Sequence, residues 1–124
     1  MSEKEVPAIR KVYIAGPLSK GDLGINIANA IKAANQVVAL GAAAYVPHLT
    51  TFWQFLSAAA GEPTGFADYD YWLKQDFAWL ECCDALLRLP GESVGADMEE
   101  QEARRIGIPI FHSVEDLAIW LSRE

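Results

Sequence analysis

The 124-residue chain is 52% apolar, enough to build one hydrophobic core without disulfide or metal staples, and too short for two independent cores. Ten basic residues against seventeen acidic ones give a net charge of −7, with no basic cluster beyond Arg104 and Arg105, which excludes a nucleic-acid backbone as partner. The two cysteines, Cys82 and Cys83, are adjacent, so they cannot supply the spaced ligands of a zinc site or a disulfide framework.

Residues 1–124 therefore read as one domain, with residues 1–9 polar and loose. There is no signal-like apolar core at the N-terminus and no apolar run of ~20 residues, so neither export nor membrane insertion is expected. A reduced, cytoplasmic setting fits the cysteine usage.

Lys11 to Ala15 (KVYIA) is a β-branched, apolar first strand stopped by Gly16 and Pro17. The loop that follows, GPLSKGDLG, is neither the G-x-G-x-x-G fingerprint nor a P-loop. From Ile27 the residues Ile27, Ala30, Ile31, Ala34, Val37 and Val38 recur at helical spacing, with Asn26 as a cap and Gly41 as a stop. Ala43 to Val46 is a short second strand ended by Pro47, which leaves His48, Leu49 and Thr50 at a strand's carboxyl edge.

Thr51 to Ala60, with Phe52, Trp53, Phe55 and Leu56, is apolar enough for a helix packed on the core or on another subunit. A loop from Gly61 to Gly65 leads to a second aromatic helix, Tyr69 to Cys82, with Asp68 or Asp70 near its start and Trp72, Leu73, Phe77 and Leu80 on one broad face. Ala85 to Leu89, broken only by Arg88, is a buried strand. Pro90, Gly91, Ser93 and Gly95 turn the chain into a helix whose first turn is expected to hold Asp97, Glu99 and Glu100 and which stops at Gly107 before Pro109. Ile108 to Phe111 is a fourth strand, and Val114 to Leu121 a terminal helix capped by Ser113 with Asp116 in the capping-box position.

This order of elements, with long crossovers, predicts a parallel sheet covered on both faces. In such a sheet ligands bind outside the carboxyl ends of the strands, which makes the Pro90–Gly95 loop and the helix after it the expected site. Two carboxyl groups, Glu99 after the central strand and Asp76 in the helix leading into it, could divide nucleophilic and proton-transfer roles. Each has a plainer reading beside it, Glu99 as a dipole-complementing glutamate and Asp76 as a solvated helix residue. Ser93 and Gly95 could bind a phosphate at the helix start, or simply form the turn. His48 and His112 are too few and too scattered for a metal site, so no metal is expected and each reads as a surface or satisfied histidine. Trp53, Phe55, Trp72, Phe77 and Trp79 suit core or interface better than a base-stacking platform, and the adjacent thiols read as small buried hydrophobes.

Four motifs in order carry a family resemblance: VYIAGP at 12–17, YVP at 45–47, Asp76 followed eight residues later by Asp84 (DFAWLECCD), and SVGADME at 93–99. In these the chain resembles the nucleoside 2-deoxyribosyltransferase family and its nucleotide-hydrolysing relatives. The resemblance implies a flavodoxin-like, doubly wound parallel sheet of four to five strands with helices on both faces. It also implies a homodimer or higher homo-oligomer whose neighbouring subunits complete each site. Under it, Glu99 is the nucleophile that takes the sugar at its anomeric carbon, Asp76 assists proton transfer to the departing base, and no cofactor is needed. Tyr13 and Gly16 match the wall of the sugar and base pocket, and Pro17, His48, Ser93 and Gly95 complete the candidate substrate contacts. Asp84 matches a structural position at the start of a strand.

The substrate implied is a 2′-deoxynucleoside or its 5′-monophosphate, with the sugar passed to a second base or to water. Ser93 stands where transferases of free nucleosides usually have Asp, which tilts the 5′ end toward phosphate, while Asp97 and Glu100 add negative charge against it. The alternatives are a strict nucleoside 5′-monophosphate hydrolase and, in another class, a non-catalytic nucleotide sensor.

Overall fold

The computed structural model describes residues 8–62 and 69–123, so the expected acid Asp68 and most of the Gly61–Gly65 loop lie outside the described residues. The described chain runs β1 (Lys11–Ala15), α1 (Leu23–Ala39), β2 (Ala43–Tyr45), a 3-10 turn (Pro47–Leu49), α2 (Thr50–Ala59), α3 (Tyr69–Leu80), β3 (Ala85–Arg88), α4 (Val94–Ile106), β4 (Ile110–Phe111) and α5 (Val114–Leu121). The four strands form one all-parallel sheet in the order β2-β1-β3-β4. The doubly wound α/β expectation holds.

Alternation along the two central strands explains the two-sided core. Val12, Ile14, Ala85 and Leu87 face α1 and α5 and bury Ala30, Ala33, Val37 and Leu117 with them. Tyr13, Ala15 and Leu86 point the other way, onto Leu80 of α3 and Ala96 and Ala103 of α4. Asp84 ties the strands together at their amino ends, where its carboxylate accepts the Lys11 N–H at 2.8 Å, the structural role expected of it.

Caps decide where the sequence reading of the helices needs correction. α1 begins at Leu23 because Asp22 is the N-cap, accepting the Ile25 N–H at 2.9 Å. Asn26 instead donates its side-chain amide to the carbonyls of Leu18 and Lys20, both at 2.8 Å, and so tightens the loop after β1. α4 begins at Val94 because the Ser93 hydroxyl accepts the Ala96 N–H at 3.0 Å. That register puts only Asp97 in the first turn and moves Glu99 and Glu100 into the second. α5 carries its Ser113 cap as expected, with the Asp116 N–H bonded to the serine oxygen at 3.1 Å.

β1 keeps its expected bounds, whereas β2, β3, β4 and α3 come out shorter than the runs that announced them. Val46 leaves β2 to enter the 3-10 turn at Pro47, and the Ile108 N–H returns to Ala103 O at 3.1 Å to close α4, so β4 is only Ile110–Phe111. α3 stops at Leu80, and of the two thiols that follow only Cys83 is buried; Cys82 is exposed. The aromatic set divides as well, with Trp72 buried and Phe52, Trp53, Phe55 and Trp79 between 44% and 58% exposed.

Candidate active site

The carboxyl ends of β1 and β3 are held together by two close backbone approaches. A Cβ on Gly16 would lie 3.0 Å from Leu89 Cβ, and one on Gly91, at φ 115°, would lie 2.8 Å from Pro17 Cγ. Only glycine lets the loop after β3 lie this close to the loop after β1. Above this seam opens a cavity of about 940 Å³, which Gly16, His48, Asp76, Ser93, Gly95 and Glu99 all line. Six of the eight candidate contacts thus meet at one cavity, brought there from four separate stretches of the chain.

Glu99 sits on the inward stripe of α4, between Ala96 and Ala103, and is 6% exposed. The Tyr13 hydroxyl, projecting from β1 under the helix, donates to Glu99 Oε2. Burial pushes the Glu99 carboxyl up to about 8, against the Tyr13 hydrogen bond that lowers it; the Asp76 charge adds to the rise and the Arg88 charge opposes it. A dipole-complementing first-turn glutamate would be solvated, so that reading of Glu99 is corrected.

Asp76, on the cavity side of α3, is raised to about 7 by burial, and its Oδ1 is buried with no hydrogen-bond partner. It is therefore not the solvated helix residue that was its plainer reading. Tyr13 is also pushed well above the ordinary tyrosine range, first by burial and then by the Glu99 charge, so its proton stays in place. Two carboxyl groups that burial makes keep a proton to near neutral pH therefore line the same cavity.

His48 is 2% exposed and its Nε2 lies 3.1 Å from the Pro17 carbonyl, which fixes the ring with its proton on Nε2. Burial lowers its pKa, so it is neutral. Pro17 itself stands behind the cavity wall, its carbonyl on His48 and its ring against Gly91. His112 is an exposed neighbour of Glu100 at 3.5 Å, well outside this group. Among the described residues no cluster of His, Cys, Asp and Glu could hold a metal ion.

A model of the family described as "Domain of unknown function (DUF7768)" matches residues 10–113. The chain belongs to this family. No curated protein matches it. Among solved structures it is similar to a 2-deoxyribosyltransferase from Bacillus psychrosaccharolyticus, with a TM-score of 0.60 over 81% of this chain and 69% of that one at 17% identity. The likeness is one of fold, and the four-stranded parallel sheet with five helices matches the nucleoside deoxyribosyltransferase architecture. That neighbour is described as a biocatalyst for the synthesis of antiviral and antitumoral nucleosides. Among the described residues of the present chain no helix is long and apolar enough to cross a membrane.

Several cavity residues escaped the sequence reading. Trp72 was assigned to core or interface, yet it lines the cavity together with Gln54 and Leu73. Lys20 lies on the rim in an exposed ion pair with Glu92 at 3.4 Å, which links the loop after β1 to the loop after β3. Nothing local announces any of these. The negative charge expected from Asp97 and Glu100 is answered by Arg88, which lies 2.7 Å from Asp97 Oδ1 and 3.4 Å from Glu100 Oε1. The one visible signal was a charged residue at the end of an otherwise apolar strand.

Proposed function

We propose that this protein is an enzyme that cleaves the N-glycosidic bond of a 2′-deoxynucleoside or its 5′-monophosphate. The observation that carries the reading is the buried Glu99, held by Tyr13 and facing Asp76 across one cavity at the carboxyl edge of the sheet. The reactive form has Glu99 ionised and Asp76 protonated, and in its first step a Glu99 carboxylate oxygen bonds to the anomeric carbon as the carbon–nitrogen bond breaks. The bond pair goes to the base, and the Asp76 carboxyl gives the base its proton. In the second step water or another base attacks the anomeric carbon, Glu99 leaves as carboxylate, and the proton lost by the attacking group returns to Asp76. No group beyond these side chains is required. A nucleotide sensor has no use for a buried carboxyl aimed at the anomeric carbon, and Glu99 therefore favours turnover over simple binding.

At the 5′ end, Ser93 and the first amides of α4 border the cavity, and the Ser93 hydroxyl still has its own proton to give after accepting from Ala96. The pairing of Asp97 with Arg88 reduces the repulsion a phosphate would meet there. These features support the 5′-monophosphate as substrate, and a strict hydrolase is the second reading. The exposed apolar face of α2 supports a homo-oligomer. Incubation with a panel of deoxynucleosides and deoxynucleotides, with and without a second free base, tests the proposal through released base and exchanged product. No release from any substrate overturns it.

A further inference from the structure

Arg88 is the last residue of β3 and is 9% exposed. A buried guanidinium is costly unless its donors are met, and here four acceptors meet them. Nε donates to Leu89 O at 3.0 Å, the second nitrogen to Gly91 O at 2.7 Å, and the third to Asp97 Oδ1 at 2.7 Å and Glu100 Oε1 at 3.4 Å. One side chain therefore grips both carbonyls that flank Pro90 and the carboxylates of Asp97 and Glu100 in the first two turns of α4. The Gly91 that it grips is the residue packed on Pro17, and the Pro17 carbonyl is the one that orients His48.

We propose that Arg88 is a positioning residue for the proposed reaction: its planar fork fixes the β3–α4 loop so that the Ser93–Gly95 edge and Glu99 stand around one cavity. The inference rests on the functional reading above. Arg88 does not line that cavity and touches no reacting atom. It acts through the carbonyls it holds, and through its charge on Glu99, a carboxyl that Tyr13 from β1 and Asp76 from α3 also face. Lysine would keep the charge but has no fork with which to hold two carbonyls and a carboxylate at once.

A cleft of about 350 Å³ lined by Arg88, Gly91, Asp97, Glu100 and His112 gives small molecules a way to this position, which permits chemical rescue. Three proteins are compared, wild type, Arg88→Ala and Arg88→Lys, with fold checked by circular dichroism. Arg88→Ala is expected to lose about 100-fold in kcat/KM, the scale of a misplacement near 1 Å. Millimolar guanidinium, far below denaturing concentration, should restore at least tenfold of that loss, and ammonium should not. Arg88→Lys should stay at least tenfold below wild type. A 13C titration of the Glu99 carboxyl should move upward in Arg88→Ala and return in Arg88→Lys, separating charge from grip. Amide exchange over residues 89–96 should rise in both variants and fall with guanidinium for Arg88→Ala. Wild-type kcat/KM in either folded variant, equal rescue by ammonium, or unchanged exchange overturns the positioning role. If the wild type itself turns over nothing, the functional reading fails while the exchange and titration data still decide for or against the grip.

Discussion

Glu99→Gln isolates the cost of holding a carboxyl in the core. Gln has the same shape and its amide oxygen still accepts from Tyr13, so the substitution removes the titration and the nucleophile with little change in packing. In the wild type the folded-state value near 8 lies above the ordinary 4.5, so the folded protein binds the proton more tightly than the unfolded chain. Stability from this group is then full below pH 4.5 and is lost as pH rises toward 8. Linkage at 1.36 kcal/mol per unit makes the wild type lose roughly 3 to 5 kcal/mol between pH 5 and pH 9 that Glu99→Gln does not lose. Urea denaturation of both proteins at intervals across that range measures the difference. The curves should lie close at pH 5 and separate steadily to pH 9, with the mutant the more stable. Its glycosidic cleavage should meanwhile fall by at least about 1,000-fold, since an amide cannot take up the sugar. Parallel stability curves would refute the buried, protonated Glu99, and a folded mutant with near wild-type turnover would remove Glu99 from the mechanism.

Because Glu99 is raised to about 8 and Asp76 to about 7, kcat/KM should follow a bell with its maximum between pH 7 and 8, and Asp76→Asn should abolish the alkaline limb as the proton donor is lost. Tyr13→Phe removes a hydrogen bond that lowers the Glu99 value, so a 13C titration of the Glu99 carboxyl should move to higher pH; an unmoved titration would show that the bond is not made to the ionised group. Ser93→Asp should cut activity on the 5′-monophosphate by tenfold or more while nucleoside activity holds or rises, and a wild type that already prefers the nucleoside would make Ser93 only a cap. Leu49, Phe52, Phe55 and Leu56 are 44% to 69% exposed on and beside α2, so sedimentation should give at least a dimer, and Phe55→Asp should weaken it; a fully active monomer at micromolar concentration would contradict both.

Local chemistry determined much of this molecule from the sequence alone. The alternation of KVYIA and the apolar ALL before Arg88 fix buried strands, Gly107 at φ 82° ends α4 where a left-handed residue is needed, and Ser113 caps α5, all through contacts within a few residues. The parallel order follows from the crossover lengths between those strands. Glu99 and Asp76 could be named in the same way, one just after the central strand and the other in the helix leading into it. Their character could not be. Whether Glu99 is a solvated first-turn acid or a buried one depends on the Ser93 cap setting the register of α4, and then on Tyr13, 86 positions away in sequence, closing over it from β1. Arg88 looked like an interruption of a strand until the folded loop brought two carbonyls and two carboxylates to its fork. Trp72 and Lys20 joined the cavity for the same reason, because burial and pairing between distant segments are properties of the packed chain, and no window of neighbouring residues contains them.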